Sequence, residues 1–174
     1  HSHSNFTRNG LPIAIQKQIA EGIWGSPDAV DAVGAYTPMN PYKAKMAKWS
    51  LLRKELHDSL SLCNWMGPWV ASPLKERGYR GDDSIESMLY SLATGDKKDR
   101  HELDRVAERI FVMHRALTIR DMGTVQMRAR HDTIPEWVFT DKAGKAPFTK
   151  GTIHMDRSDI RMAMDMFYDE LGWD

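Results

Sequence analysis

Two runs of apolar residues at helical spacing constrain this chain more than any other feature in it. Tyr42, Met46, Trp49, Leu52, Leu56 and Leu60 fall three or four positions apart, which is the period of one helix face and predicts a core helix from Tyr42 to about Leu62. Leu103, Val106, Ala107, Ile110, Met113, His114 and Leu117 repeat the pattern between Asp99 and Met122, with Gly123 as the stop. In that stripe His114 is expected to be a core imidazole with its hydrogen bonds satisfied. Helices of roughly 20 residues extend about 30 Å, the diameter of a small domain, so two of them leave shorter elements to pack around them.

Those shorter elements can be placed from their start and stop signals. Leu11, Ile15, Ile19 and Ile23 share a face that Gly25 ends, and Ser26-Pro27-Asp28 then opens a brief helix reaching to Gly34. Ser84 is positioned to cap a helix with Ile85, Met88, Leu89 and Leu92 inward and Gly95 at its end. Asp156 caps a last helix with Ile160, Ala163, Met164, Phe167 and Leu171 inward, closed by Gly172. Arg80-Gly81-Asp82 reads as a turn, and Asp141-Lys142-Ala143-Gly144-Lys145 leaves room for one small hairpin or an ordered loop across residues 137–153. The fold expected is all-α, an irregular multi-helix bundle with long loops and room for one small hairpin, occupying residues 1–174 as one domain.

Charge narrows the function classes. Lys and Arg number 24 and so do Asp and Glu, and this zero balance offers no basic excess to hold a nucleic-acid backbone. Lys43, Lys45, Lys48, Arg53 and Lys54 are accordingly expected on a solvated face, and Arg128, Arg130, His131 and Asp132 are expected to be exposed. No apolar run approaches the ~20 residues that span a bilayer. A single cysteine excludes an internal disulfide framework and fits a reducing compartment, so a cytoplasmic protein is expected.

That cysteine, Cys63, lies in His57-Asp58-Ser59-Leu60-Ser61-Leu62-Cys63-Asn64-Trp65-Met66-Gly67-Pro68, where the long helical run gives way to Gly-Pro. A thiol beside a carboxylate suits a metal ligand, a nucleophile or a packed core residue, and buried packing is the commonest fate of a free cysteine. Asp58 and Leu62 are four apart and are expected to share a helix face, with Cys63 following at the helix end. A cysteine hydrolase built on Cys63 and His57 is disfavoured, because residues six apart on a helix point to different sides. The aromatic stretch Asn64 to Val70 reads first as ordinary core.

The spacing Asp58-x-x-Ser61-Leu62-Cys63 resembles the Asp-x-x-Gly-Leu-Cys signature of the tungsten- and molybdenum-containing aldehyde:ferredoxin oxidoreductases. The likeness extends through Asn5-Phe6, Gly10-Leu11-Pro12, Ala47-Lys48-Trp49-Ser50-Leu51-Leu52-Arg53, Ser72-Pro73-Leu74-Lys75 and Ala107-Glu108-Arg109-Ile110-Phe111. It continues in His114-Arg115-Ala116, Met127-Arg128, His131-Asp132, Met166-Phe167-Tyr168 and Gly172-Trp173-Asp174. Members of that family are several times longer, so the resemblance implies a fragment: the C-terminal helical domain of a larger enzyme.

The resemblance also implies roles. Asp58 would accept hydrogen bonds from the pterin, Leu62 would lie in the same cofactor-binding turn, and Cys63 would be the last of four thiolates on a 4Fe-4S cluster. One histidine near the start of the chain, assigned to His3 with His1 as the alternative, would handle protons at the metal. Ser61 departs from the family's glycine, which bears on how closely the backbone approaches the pterin. The implied activity is oxidation of a small aldehyde to a carboxylic acid at a tungsten or molybdenum bis-pterin, with electrons leaving through the 4Fe-4S cluster to ferredoxin or another iron–sulfur carrier. The implied partners are that carrier and the N-terminal domains of the same enzyme, and the isolated fragment is expected to be metal-free and inactive. Composition and periodicity are equally compatible with the alternative, a non-catalytic helical interaction domain.

Overall fold

The computed structural model describes residues 11–30, 37–63, 70–72, 74–142, 149–150 and 152–173. Seven α-helices and no strand occur among them: α1 (Ile13–Trp24), α2 (Pro41–Ser59), α3 (Ile85–Thr94), α4 (Arg100–Met122), α5 (Met127–Arg130), α6 (Trp137–Thr140) and α7 (Arg157–Leu171). The all-α expectation holds. In the segment 137–153, Trp137–Thr140 is a helical turn, and among the described residues an isolated antiparallel bridge, with no strand, joins Lys142 to His154. Residues 143–148, which would form the tip of a hairpin there, and Gly34 lie outside the described residues.

Local chemistry sets the element ends. Ser26 Oγ accepts the Asp28 N–H and opens a 3-10 turn, Pro27–Ala29. Asn40 Oδ1 accepts the Lys43 N–H at 3.0 Å, with Pro41 in the first turn where its missing N–H costs nothing. Asp99 and Glu102 exchange bonds in a capping box at the start of α4. Asp156 caps α7 through the Ser158 and Asp159 amides. Ser84 makes no side-chain cap; it donates instead to Asp82, whose carboxylate also accepts the Ser84 N–H.

The helix α2 is the axis of the molecule, because its two halves serve two different cores. Met46 and Trp49 pack on Ile19, Ala20, Trp24, Ala29, Val30 and Val70, with the Trp24 and Trp49 rings edge to face at 5.6 Å. Leu52 and Leu56 pack on Leu103 and Ala107 of α4. Burying a leucine such as Leu56 or Leu103 contributes about 2 kcal/mol each, so the second cluster fixes the angle at which α4 leaves α2. Lys48 joins a third helix, donating to the Glu170 carbonyl of α7 and pairing with Glu108 of α4, both at 3.0 Å.

Several expectations about which face is buried are corrected. Lys43 and Arg53 are buried, because each finds acceptors inside: Lys43 Nζ donates to the Thr37 and Pro38 carbonyls, and Arg53 meets carboxylates of α3 and α4. On α3 the apolar residues Met88, Leu89 and Leu92 face outward while Glu86 and Ser87 are buried. His114 is exposed on α4, with Nδ1 at 2.8 Å from the Glu55 carboxylate, and its neighbours Val112, Met113 and Leu117 are exposed with it. Asp132 is not a loose surface charge either, for reasons given below. Arg80-Gly81-Asp82 is not itself a turn: Arg80 pairs with Ala71 in an isolated antiparallel bridge, the Gly81 N–H bonds the Val70 carbonyl, and the chain turns just before it, at Gly78-Tyr79.

Candidate functional site

The end of α2 carries the residues singled out by sequence. The helix stops at Ser59, and Ser61 takes a left-handed backbone, φ 57°. The Ser61 N–H bonds back to the Asp58 carbonyl at 3.4 Å and the Leu62 N–H to the His57 carbonyl at 2.8 Å. These paired bonds form a Schellman turn, which reverses the chain and needs a residue at positive φ. Asp58 and Leu62 are therefore not stacked on one helical face: Asp58 projects from the last turn of α2, and Leu62 lies beyond the reversal, half-buried. Cys63 emerges from the turn exposed. The Asp58 side chain is 51% exposed and paired with Lys54 one turn earlier. His3 and His1 lie outside the described residues, as do residues 64–69.

Directly behind this turn is a buried polar cluster that sequence reasoning did not find. The His57 ring has no solvent exposure, and its Nε2 lies 3.1 Å from Glu86 Oε1. Arg53, one turn earlier and 3% exposed, lies 3.6 Å from the same carboxylate and hydrogen-bonds Asp104 of α4. Burial pushes the Glu86 carboxyl up, but the His57 hydrogen bond and the Arg53 guanidinium together hold it below the ordinary glutamate value. For Asp104 burial prevails over the pull of Arg53 and raises the carboxyl. Glu86 faces inward on a helix whose apolar residues face out, and no local pattern announces such an inversion.

A second cluster ties the chain end to α4. Arg115 donates twice to Asp132, at 3.0 and 2.7 Å, and once to the Tyr168 hydroxyl at 2.8 Å, while Tyr168 donates to Asp132. The guanidinium lies 4.7 Å from the Trp173 ring centre, and Trp173 stacks on Phe111. Burial pushes the Asp132 carboxyl up, yet its bonds from Arg115, His131 and Tyr168 hold it well below the usual aspartate range. Every polar atom named here has a partner, so this cluster is a clamp between helices. A cavity of about 180 Å³ opens elsewhere, between α1 and the Arg80–Asp83 segment, and its lining includes neither Asp58 nor Cys63. Among the described residues no three His, Cys, Asp or Glu side chains converge as a metal site.

A sequence model of the aldehyde ferredoxin oxidoreductases, covering domains 2 and 3 of those enzymes, matches residues 6–174. The chain belongs to the aldehyde ferredoxin oxidoreductase family. No solved structure matches it. Membership places the chain among oxidoreductases built from several domains, and the matched part is the C-terminal region of the family. The family generally depends on tungsten or molybdenum pterin and on iron–sulfur clusters. The residues present fit one corner of such a centre: a 4Fe-4S cluster takes four thiolates, this chain has one cysteine, and that thiol is exposed at a hydrogen-bonded turn. Asp58 fits a pterin contact in kind, being an exposed carboxylate able to accept N–H groups.

Proposed function

We propose that this chain is the C-terminal helical part of a metallopterin iron–sulfur oxidoreductase acting on aldehydes, in which Cys63 is one thiolate ligand of a 4Fe-4S cluster. The observation that carries the proposal is the exposed position of the chain's single cysteine directly after a Schellman turn whose bonds hold the preceding Ser61 and Leu62. When bound, the bis-pterin metal centre and the cluster supply the conversion of aldehyde and water to carboxylic acid, two protons and two electrons, and the route for those electrons to ferredoxin or another iron–sulfur carrier.

This chain's own residues bind and orient. Cys63 loses its proton on ligation, as a thiol must. Asp58 accepts pterin N–H groups in a charge-assisted contact, and Lys54, paired with it one turn earlier, orients the carboxylate before that contact forms. Leu62 fills the apolar side of the same turn. His3 holds or passes a proton near the metal, a task suited to an imidazole near neutral pH. The exposed apolar side chains of α3 and α4 support the reading that N-terminal domains of the same enzyme pack on this one. No helix among the described residues is long and apolar enough to cross a membrane, and a thiolate ligand set is best kept in the reducing cytoplasm.

The test is iron and metal analysis of the full-length enzyme with and without Cys63→Ala. Loss of iron in the variant, with the fold retained by circular dichroism, is the expected result. Iron held at full stoichiometry would remove Cys63 from the ligand set.

A further inference from the structure

Four ionisable side chains meet behind the Cys63 turn at a place where apolar packing would hold the helices as well. Buried ion pairs seldom add net stability over a hydrophobic equivalent, because desolvation offsets their attraction, though removing one partner is costly. These groups come from three helices: Arg53 and His57 from α2, Glu86 from the first turn of α3, and Asp104 from α4. Glu86 is 4% exposed. One of its oxygens serves both His57 and Arg53, while the other has no hydrogen-bond partner among the described residues.

His57 connects this cluster to the turn. Its ring is held by Glu86, and its main-chain carbonyl accepts the Leu62 N–H, the bond that directs the chain back toward Cys63. The ring contact and the anchor of the turn thus belong to one residue, so a shift of His57 as a whole carries the anchor with it. The Glu86 contact leaves few positions for that ring, since a buried polar group displaced from its partner meets no solvent to compensate.

We propose that Glu86, with Arg53 behind it, is a positioning residue for Cys63, acting through His57 to fix the turn from which the thiolate reaches its iron. This rests on the reading of Cys63 as a cluster ligand. The experiment uses the iron-loaded full-length enzyme and three variants: Glu86→Ala, Glu86→Gln and, as a control for plain destabilisation, Leu103→Ala in the neighbouring apolar cluster. Two quantities are read: hydrogen exchange at the Leu62 amide, and the electron paramagnetic resonance spectrum of the reduced cluster.

In Glu86→Ala the Leu62 amide is expected to exchange at least about tenfold faster, with the spectrum of the cluster shifted or broadened at undiminished iron. Glu86→Gln, which keeps the size and an acceptor for His57, is expected to lie between it and the parent, and it carries the test if Glu86→Ala does not fold. Leu103→Ala is expected to lower the melting temperature while leaving both readouts unchanged. The proposal is overturned if Leu62 exchange in the Glu86 variants matches the Leu103 control, or if the turn loosens while the spectrum stays as it was. Failure of the ligand reading is distinguishable, because it shows as iron retained in Cys63→Ala whatever the exchange at Leu62.

Discussion

Ser61 occupies a left-handed conformation at the position where the family signature has glycine. An L-residue there costs roughly 1–2 kcal/mol locally, whereas glycine adopts it freely but loses more chain entropy on folding. The net expectation for Ser61→Gly is a gain of about 0.5–1 kcal/mol, read as a higher urea midpoint with unchanged slope. A lower midpoint would show that the serine hydroxyl makes a contact worth more than the strain. Sequence alone suggested a different reason for the glycine, close approach to a cofactor, because φ is not visible in a string of residues. His57 illustrates the same limit: helix geometry disfavours it as a partner for Cys63, but its actual partner, Glu86, is 29 positions away and nothing local points to it.

At the scale of elements, start and stop signals were legible because they are local. Asn40, Asp99 and Asp156 each bond to an amide within three residues, and Gly25, Gly95, Gly123 and Gly172 each follow a helix at positive φ. The facing of α3 was not legible, since its outward apolar residues have the same spacing as an inward stripe. The clamp between α4 and α7 was hidden for a related reason: Arg115, Asp132 and Tyr168 are far apart in sequence and each looks like a surface residue alone. The clamp makes a pH prediction. The folded Asp132 carboxyl is depressed below its unfolded value near 3.9, so its stabilisation is complete above about pH 5 and fades as pH falls through the acid range. Asp132→Asn is expected to cost about 1–3 kcal/mol at pH 7, with the gap between variant and parent narrowing in melts taken toward pH 3. A gap independent of pH would mean that shape, not charge, holds the clamp.

For the whole molecule, two cores strung along α2 leave substantial apolar surface on the outside, and nothing in the charge balance keeps copies apart. The formal net charge is zero and the isoelectric point is about 7.2, so long-range repulsion vanishes close to neutral pH. Leu92 is 81% exposed and Met113 57% exposed. The isolated 174-residue chain is therefore expected to self-associate near pH 7, seen as concentration-dependent light scattering. Leu92→Glu with Met113→Glu is expected to abolish that scattering with a melting temperature close to the parent's, because substitutions at such exposed positions shift stability by no more than about 0.5 kcal/mol each. Added charge alone could produce the same effect, so the control is Arg105→Ala with Arg130→Ala, two exposed cations whose removal gives the same net charge and leaves the apolar residues in place. If the control pair disperses the protein as well as the glutamate pair does, then net charge, not the apolar surface of α3 and α4, governs association. The packing of N-terminal domains would in that case have to be sought on another surface.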